Sequence, residues 1–397
     1  MSEKLQIAIV GGGIGGLTAA LALRARGLSV TVFEQADELR EIGAGVTIFP
    51  NATLLLHRIG LADEIEKIGC PITGHVMRTS TGELINESTT PSTGTRSYNV
   101  HRAEFLKLLV DAQPKGTLRL GHRLSGVRET NGRVCLSFSN GATVNSDVAI
   151  GADGIHSALQ REIGLKTYPS SEGIMAYRGL IPTEKLSWAK DIGGRMSRWV
   201  GHGRSFLCYP VSSGRLMNMV AFVPTDLDSE ESWTAPGDLK ALSAEYAGWD
   251  DPVLETISAL DSTFRWGIYD RAPLPYWCAG RATLLGDAAH AMVPHLGQGA
   301  AQAIEDGFTL AVFLESAKPQ EVSKRLKAYE RARLERTSQI QAFARETGRF
   351  VRAEYDDVAE RDRFMTKWTA ENGRIRAYDA EKGAKEAFVL AKDAGSI

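Results

Sequence analysis

The sequence predicts an α/β fold in which a domain built on a parallel sheet is interrupted twice by β-rich insertions and followed by helices. An apolar strand, a glycine-rich turn and a helix follow one another within residues 4–34. Two further apolar strands end in glycine far along the chain, at Gly151 and Gly286. Alternating, strand-like segments fill the intervals between these points, and a simple two-domain α/β protein would not show them.

The turn after the first strand has the spacing G-x-G-x-x-G, at Gly11, Gly13 and Gly16. The first glycine allows a tight turn, the second lets the backbone approach a pyrophosphate, and the third lets helix and strand pack closely. The N-terminus of the helix that follows offers free N–H groups and the positive end of its dipole. The motif therefore predicts a bound adenine dinucleotide, without deciding between NAD and FAD.

The second strand, over residues 30–33, ends in Glu34. A carboxylate at this point can accept hydrogen bonds from a ribose hydroxyl and would repel a 2′-phosphate. Glu34 could also be an ordinary exposed acid, but its distance from Gly16 in the sequence favours the ribose role.

Composition describes an ordinary globular protein, and length suggests two or three domains or one large domain with an insertion. The 397 residues are 43% hydrophobic and 24% charged, with a net charge of −2, which gives no reason to expect a nucleic-acid or membrane-surface partner. We expect no metal site, no signal peptide and no membrane span, and a cytoplasmic location. The cysteines are scattered without a C-x-x-C pair, which favours reduced thiols; they are Cys70, Cys135, Cys208 and Cys278.

Two more strand ends carry an acid beside a glycine, in Gly151-Ala-Asp153-Gly154 and in Gly286-Asp287. Such an acid is placed to accept hydrogen bonds from ribose or ribitol hydroxyls. Asp153 could also cap the helix that begins near residue 157, and the two roles do not exclude each other. Glycines at 297 and 299 open a later helix, whose N–H groups could approach a flat, carbonyl-bearing ring.

Together these three motifs resemble those of the single-component (class A) flavoprotein aromatic hydroxylases, which share the para-hydroxybenzoate hydroxylase fold. The resemblance covers residues 5 to about 340 and is specific as a set. Within the family the sequence is most similar to the branch of salicylate hydroxylase, 3-hydroxybenzoate 6-hydroxylase and 6-hydroxynicotinate 3-monooxygenase. Residues 292–299 and 304–306 look most like salicylate hydroxylase.

The resemblance implies a Rossmann-like FAD-binding domain (1–72, 97–176 and 266–320) interrupted by a β-sheet substrate domain (73–96 and 177–265). A C-terminal helical region, 321–397, would follow. Apart from the resemblance, the polar sequence of the tail to Ile397 predicts a helical and loosely attached segment. FAD would be the cofactor, with NADH or NADPH as co-substrate. The residues that would hold FAD are Gly11, Gly13, Gly15, Gly16, Glu34, Gln35, Arg40, Arg102, Asp153, Gly286, Asp287, Gly297, Gly299 and Ala300.

The resemblance also implies the chemistry. NAD(P)H would reduce the flavin, O₂ would add at its C4a atom, and the hydroperoxide would attack the ring of a small phenolic or hydroxy-heteroaromatic acid, salicylate first. Pro294 would line the reactive side of the flavin, and His295 and Tyr209 are the candidate bases. Ser205 stands where the 3-hydroxybenzoate and 6-hydroxynicotinate enzymes carry histidine, which shifts the expectation toward His295.

Several alternatives stay open. The same fold could hydroxylate 3-hydroxybenzoate or 6-hydroxynicotinate, or serve as a secondary-metabolite hydroxylase or epoxidase. A flavin-binding redox sensor would bind FAD without turnover, and a pyridine-nucleotide dehydrogenase would be colourless when purified. The expected partners are the aromatic acid, O₂ and NAD(P)H, with the chain a monomer or a homodimer.

Overall fold

A computed structural model describes residues 4–39, 44–90, 94–165, 167–225, 235–353 and 358–397. Its strands are, in chain order, β1 (Gln6–Val10), β2 (Ser29–Phe33), β3 (Gly45–Ile48), β4 (Cys70–Pro71), β5 (Gly74–Thr79), β6 (Leu84–Thr89), β7 (Tyr98–His101), β8 (Leu118–Arg119), β9 (Leu124–Thr130), β10 (Arg133–Phe138), β11 (Thr143–Ser146), β12 (Val148–Gly151), β13 (Ser170–Pro182), β14 (Arg195–Gly201), β15 (Arg204–Val211), β16 (Leu216–Pro224), β17 (Ala235–Pro236), β18 (Phe264–Asp270), β19 (Cys278–Ala279) and β20 (Ala282–Leu284). Its helices are α1 (Ile14–Ala25), α2 (Pro50–Arg58), α3 (Ala62–Ile68), α4 (Arg102–Asp111), α5 (Ala158–Glu162), α6 (Leu239–Glu245), α7 (Asp251–Ser258), α8 (Asp287–His290), α9 (Gly299–Leu314), α10 (Val322–Phe350), α11 (Val358–Arg376) and α12 (Ala380–Asp393).

The predicted parallel sheet is present, with the spatial order β19-β20-β12-β1-β2-β8. Strand β1 pairs in parallel with β2 on one side and with β12 on the other. The chain thus leaves β1 in one direction and returns on its other side, which is the switch point where open α/β sheets bind ligands. The strands read as continuous apolar runs because both faces of the sheet are covered.

Residues 117–150 divide between two sheets. Strands β9, β10 and β11 form an antiparallel three-stranded sheet. Leu118 and Arg119, however, pair in parallel with β2 at the edge of the main sheet. A two-residue strand carries too little periodicity to reveal which sheet it joins.

The second large sheet has eight strands, in the order β17-β18-β13-β16-β15-β14-β5-β6. Its back face packs under α6 and α7, through a core that includes Trp199, Phe206 and Tyr246. Its front face turns toward α10, α11 and the segment after α8, where Phe222, Trp266 and neighbouring side chains form a separate apolar cluster. The alternation of each strand therefore serves two different layers, one structural and one facing the other domain.

The C-terminal tail is docked, so the expectation of a loose attachment is wrong. Arg58 on α2 pairs with Asp379 (Nη2–Oδ2 2.6 Å), which caps α12 by accepting a hydrogen bond from the N–H of Lys382. The ring of Phe388 packs at 5.7 Å from that of Phe313 on α9. The sequence of α12 is polar overall, but its apolar face packs against the helices of the first domain and holds the tail there.

The helices that the structure describes include none long and apolar enough to cross a bilayer. Over the same residues, no cluster of three or more histidine, cysteine or acidic side chains could hold a metal ion. The four cysteines are free thiols.

Candidate active site

The first glycine turn has the geometry that its spacing predicts. Gly11 adopts a positive φ of 112°, and a methyl group in place of its hydrogen would lie 2.2 Å from the carbonyl oxygen of Ala152. A methyl group on Gly16 would lie 2.0 Å from the carbonyl oxygen of Gly11. At Gly13, by contrast, nothing stands within 4 Å of that position. The turn is therefore tight where chain packs on chain and open where a pyrophosphate would approach.

The N-terminus of α1 is available to an anion. Its capping residue, Gly13, has no side chain to accept a hydrogen bond from the helix N–H groups, and the first turn contains no acid. Gly15 faces inward instead, since a methyl group there would lie 2.9 Å from the Leu285 side chain and 3.0 Å from the Ala303 side chain. Gly15 thus lets α1 pack against α9, while the free N–H groups point at the switch point.

Glu34 lies where the second strand ends, beside the glycine turn. Its Oε2 accepts a hydrogen bond of 2.6 Å from the N–H of Gly12, and its Oε1 accepts one of 2.9 Å from the N–H of Ala36. The carboxylate is half-buried and keeps further lone pairs for a ribose. Gln35 is exposed next to it, and Arg40 lies outside the described residues.

Asp153 caps α5. Its carboxylate accepts hydrogen bonds from the Ser157 hydroxyl and from the N–H groups of Ala158 (2.7 Å) and Leu159 (3.1 Å). Burial raises the pKa of Asp153, and these hydrogen bonds act in the opposite direction. The capping alternative is therefore realised, and a role toward the cofactor stays a prediction.

The third motif brings Asp287 and Arg102 together. Burial raises the pKa of Asp287, and the charges of His290 and of Arg102, at the start of α4, act in the opposite direction. The start of α9 is close by, because a methyl group on Gly299 would lie 3.9 Å from Asp287 Oδ1. Gly297 adopts a φ of 65°, which lets the chain turn into that helix. Asp287 thus lies near both a cation and the start of a helix, with Ala300 in the first turn of α9.

A buried network of charges holds the third motif in place. Asp306 on α9 accepts hydrogen bonds from the N–H of Gly286 (2.8 Å), from His290 Nε2 (2.6 Å) and from Arg333 Nε (2.7 Å). Arg333 also donates to Glu305 (2.6 Å). His290 is therefore a structural histidine, as the sequence favours.

A cleft lies between this motif and the front face of the eight-stranded sheet. Its enclosed part has a volume of about 90 Å³, and the cleft opens to solvent. Trp266, Met292 and Pro294 give it apolar walls, and Asp287 and Arg178 give it charge. An apolar cavity with a few convergent polar groups is typical of a site for a small organic ligand.

His295 is buried beside this cleft rather than within its lining. Its Nε2 is 3.0 Å from Arg352 Nη1 and accepts that N–H, so the proton of the neutral ring is on Nδ1. Burial, together with the charges of Arg352 and Arg198, lowers the pKa of His295 well below its ordinary value. At neutral pH the ring is therefore uncharged and held by an arginine, which favours a positioning role over proton abstraction.

Tyr209 lies on the front face of the sheet, against the backbone of Gly45, whose added methyl group would lie 2.7 Å from the phenolic oxygen. Burial raises its pKa to about 12, and the charges of Arg178 and Arg198 act in the opposite direction. Tyr209 is thus a neutral phenol between two cations. Ser205, on the same strand, is buried, and its hydroxyl has no partner among the described residues.

Sequence reasoning missed the cations of this site. Burial lowers the pKa of Arg178, Arg198 and Arg376 to about 10 each. Burial, with the charges of Arg376 and Arg198, lowers the pKa of His75 to about 4. These residues stand on strands and a helix without a motif, where an isolated arginine is typical of an exposed face.

Known proteins share this architecture. Residues 4–344 match the FAD binding domain family. The chain is 34% identical to a 3-amino-4-hydroxybenzoate 2-monooxygenase of Streptomyces platensis, over 87% of this chain and 88% of that protein. It is 32% identical to a 6-hydroxynicotinate 3-monooxygenase of Pseudomonas fluorescens, over 87% and 91%. A solved salicylate hydroxylase in a substrate complex superposes with a TM-score of 0.85, at 28% identity over 98% of both chains.

These comparisons confirm the predicted family resemblance and FAD as the cofactor. The open turn at Gly13, the uncapped start of α1 and the electrostatic interaction of Arg102 with Asp287 fit that cofactor independently. The chain therefore belongs to the FAD-binding-domain family, among relatives that are FAD-dependent aromatic-ring monooxygenases.

Proposed function

We propose that this chain hydroxylates a small phenolic or hydroxy-heteroaromatic acid, in the manner of a salicylate 1-hydroxylase, using FAD, NAD(P)H and O₂. The observation that supports this most is the cleft between the third motif and the sheet, which is apolar in its walls and cationic at Arg178. When bound, FAD supplies electron transfer from NAD(P)H and activation of O₂. We extend the proposal to a cytoplasmic monomer or homodimer.

The residues divide into those that hold the cofactor and those that face the substrate. Gly11, Gly13 and Glu34 would hold the adenosine and pyrophosphate end. Arg102 and Asp287, with Gly286, Gly297, Gly299 and Ala300, would hold the flavin end. The switch point of the sheet and the start of α9 support this assignment.

The substrate would lie against Pro294 and the front face of the sheet. There the apolar walls exclude water, and the guanidinium of Arg178, stacked 3.9 Å over the Trp266 ring, offers a carboxylate an ion pair. Tyr209, protonated at neutral pH, can donate a hydrogen bond to a substrate oxygen. This makes Tyr209 the stronger candidate for direct contact with the reacting oxygen and His295 the positioning residue.

A screen of hydroxybenzoates and hydroxypyridines for stimulation of NADH and NADPH oxidation, with product identification, tests the proposal. We expect one aromatic acid to accelerate oxidation and to give a hydroxylated product. NAD(P)H oxidation that no aromatic acid accelerates, with no hydroxylated product in any reaction, would favour the redox-sensor alternative.

A further inference from the structure

The front face of the eight-stranded sheet carries two arginines in one cross-strand row. Arg178 on β13 is paired with Val220 on β16, Val220 with Leu207 on β15, and Leu207 with Arg198 on β14. Residues directly opposite one another in neighbouring strands project from the same face of a sheet. The backbones of the two arginines are three strand spacings of about 4.8 Å apart, measured across the sheet. Both charges act on Tyr209, which lies between them.

A third arginine approaches from the other side. Arg376, the last residue of α11, stacks over the ring of Phe49 at 4.0 Å. That ring adjoins the third motif, because a methyl group on Gly297 would lie 3.1 Å from it. The charges of Arg376 and Arg198 both act on His75. The C-terminal region thus delivers a cation to the same space that the sheet lines with two.

None of these three arginines has an acidic partner within the described ranges. Each has a buried guanidinium nitrogen without a hydrogen bond there: Nε of Arg178, Nη1 of Arg198 and Nε of Arg376. Arg333, by contrast, is paired with both Glu305 and Asp306. A half-buried cation whose guanidinium is shielded from water and lacks a counter-charge is costly, so a cluster of three points to an anionic ligand.

The cofactor does not account for this charge. The donors assigned to its pyrophosphate are the N–H groups of α1, and its flavin end faces Arg102 and the start of α9. A monocarboxylate would neutralise one of the three cations and leave two. A ligand with two negative charges brings the site closest to balance while matching the flat, apolar walls.

Resting on the proposed function, we infer that the substrate is an aromatic ring with two acidic groups, both ionised when bound and held by Arg178, Arg198 and Arg376. The second group is either another carboxylate or a phenol that the arginines keep as its phenolate. In the second case the cations themselves, and not a histidine base, make the ring electron-rich. His75 and Tyr209 then contribute neutral hydrogen-bonding groups at the same surface.

Ligand binding to the FAD-loaded protein tests this inference without turnover. Binding is monitored through the change in flavin absorbance. The probes are benzoate, benzene-1,3-dicarboxylate and 4-hydroxy-3-nitrobenzoate, whose phenolate is coloured and reports its own ionisation. We expect at least one doubly charged probe to bind at least about tenfold more tightly than benzoate. The dicarboxylate and the nitrophenol distinguish the two sources of the second charge.

Variants assign the effect to the arginines. In Arg198→Gln and Arg376→Gln the advantage of the dianion should fall below about threefold. Arg374→Gln is the matched control, since Arg374 is on the same helix with its side chain 71% exposed. FAD content and melting temperature show whether each variant is folded, and Arg376→Gln leaves the sheet untouched.

Two results would overturn the inference: benzoate binding as tightly as both dianions, or an advantage that survives in both arginine variants. These outcomes are separable from failure of the proposed function. If dianions bind preferentially but no aromatic acid is hydroxylated, the enzyme assignment fails and the ligand class stands. If singly charged acids are hydroxylated with the same kcat/KM as doubly charged acids, the ligand class fails and the enzyme assignment stands.

Discussion

At the scale of single residues, the hydroxyl of Tyr209 is the polar group that the two sheet arginines bracket. Because its pKa is raised to about 12, it stays protonated through the neutral range. Tyr209→Phe keeps the ring packed against Gly45 and removes only the hydroxyl. We expect kcat for hydroxylation to fall by about 10²-fold while FAD content and melting temperature hold.

Tyr246 provides the control for that variant. It lies behind the same sheet and donates hydrogen bonds of 3.0 Å that reach the carbonyl oxygens of Ser205 and Phe222. Tyr246→Phe should lower stability by about 1 kcal/mol with little change in kcat. Full activity in Tyr209→Phe would remove Tyr209 from the chemistry.

Glu34 is the residue-scale test of the cofactor site. Glu34→Ala removes the acceptor for two backbone N–H groups and the expected contact to the ribose. Losing such charged hydrogen bonds costs about 1.5–3 kcal/mol. We therefore expect the Kd for FAD to rise about 10- to 100-fold, measured by flavin fluorescence on dilution. Asp37→Ala removes an exposed acid three residues away and should leave FAD binding unchanged. A Glu34→Ala protein that stays fully loaded would refute the assignment.

Residues with a spacing rule were predictable, and residues placed by tertiary structure were not. Gly11, Gly13 and Gly16 follow from the physical demands of one turn. Arg178 and Arg198 sit in alternating strands, where a charged residue every second position is typical of a solvent face. They are shielded from solvent only because α10, α11 and the segment after α8 pack over that face of the sheet.

At the scale of elements, α10 closes over the third motif at Gly348. A methyl group there would lie 2.3 Å from Cδ2 of His295, whereas one at Gly373 on α11 would meet nothing within 4 Å. Gly348→Ala should therefore displace the imidazole, lower stability by about 1–3 kcal/mol and reduce hydroxylation. Gly373→Ala should be neutral or stabilising by up to about 1 kcal/mol. Thermal melting and turnover distinguish them, and equal behaviour of the two variants would contradict the packing described.

The start of α2 shows why element boundaries were harder to predict than elements. Asn51 has a residue type common at N-caps and lies near the start of the helix. The cap is instead Phe49, with Pro50 in the first turn. The Asn51 amide donates at 2.7 Å to Glu305 on α9, so a distant buried carboxylate takes the side chain that a local rule would assign to its own helix.

At the scale of the whole molecule, buried neutral histidines make stability depend on pH. Burial, with Arg376 and Arg198, lowers the pKa of His75 to about 4, and burial, with Arg352 and Arg198, lowers the pKa of His295 well below its ordinary value. Between about pH 6.5 and 4 these histidines bind protons in the unfolded chain but stay neutral in the folded chain. The free energy of unfolding therefore falls as pH falls. For His75 the loss reaches about 3 kcal/mol.

Melting temperatures across this range test that prediction. His75→Gln should show a shallower decline from pH 7 to pH 4.5 than the parent protein. His57→Gln, which changes an exposed histidine on α2, should follow the parent curve. A decline of the same steepness in all three proteins would show that His75 does not carry the effect.

The arrangement of the molecule as a whole followed from a few distant segments. Three strand–glycine motifs predict one α/β domain assembled from separated stretches of chain, and the order of the main sheet agrees with that. The docking of the tail could not be foreseen, because its contacts, such as Arg58 with Asp379, join residues more than 300 positions apart. The proposed boundaries at 176 and 265 fall within β13 and β18, since the long strands of the second sheet continue past any change in composition.

The proposed reaction transfers an oxygen atom from O₂ to an aromatic acid. Its most direct test is turnover under ¹⁸O₂ with the acid that best stimulates NAD(P)H oxidation, followed by mass spectrometry of the product. We expect one ¹⁸O atom per hydroxylated product and product formation coupled to NAD(P)H consumption. NAD(P)H consumed with only hydrogen peroxide formed for every aromatic acid, or a product whose new oxygen comes from water, would contradict it.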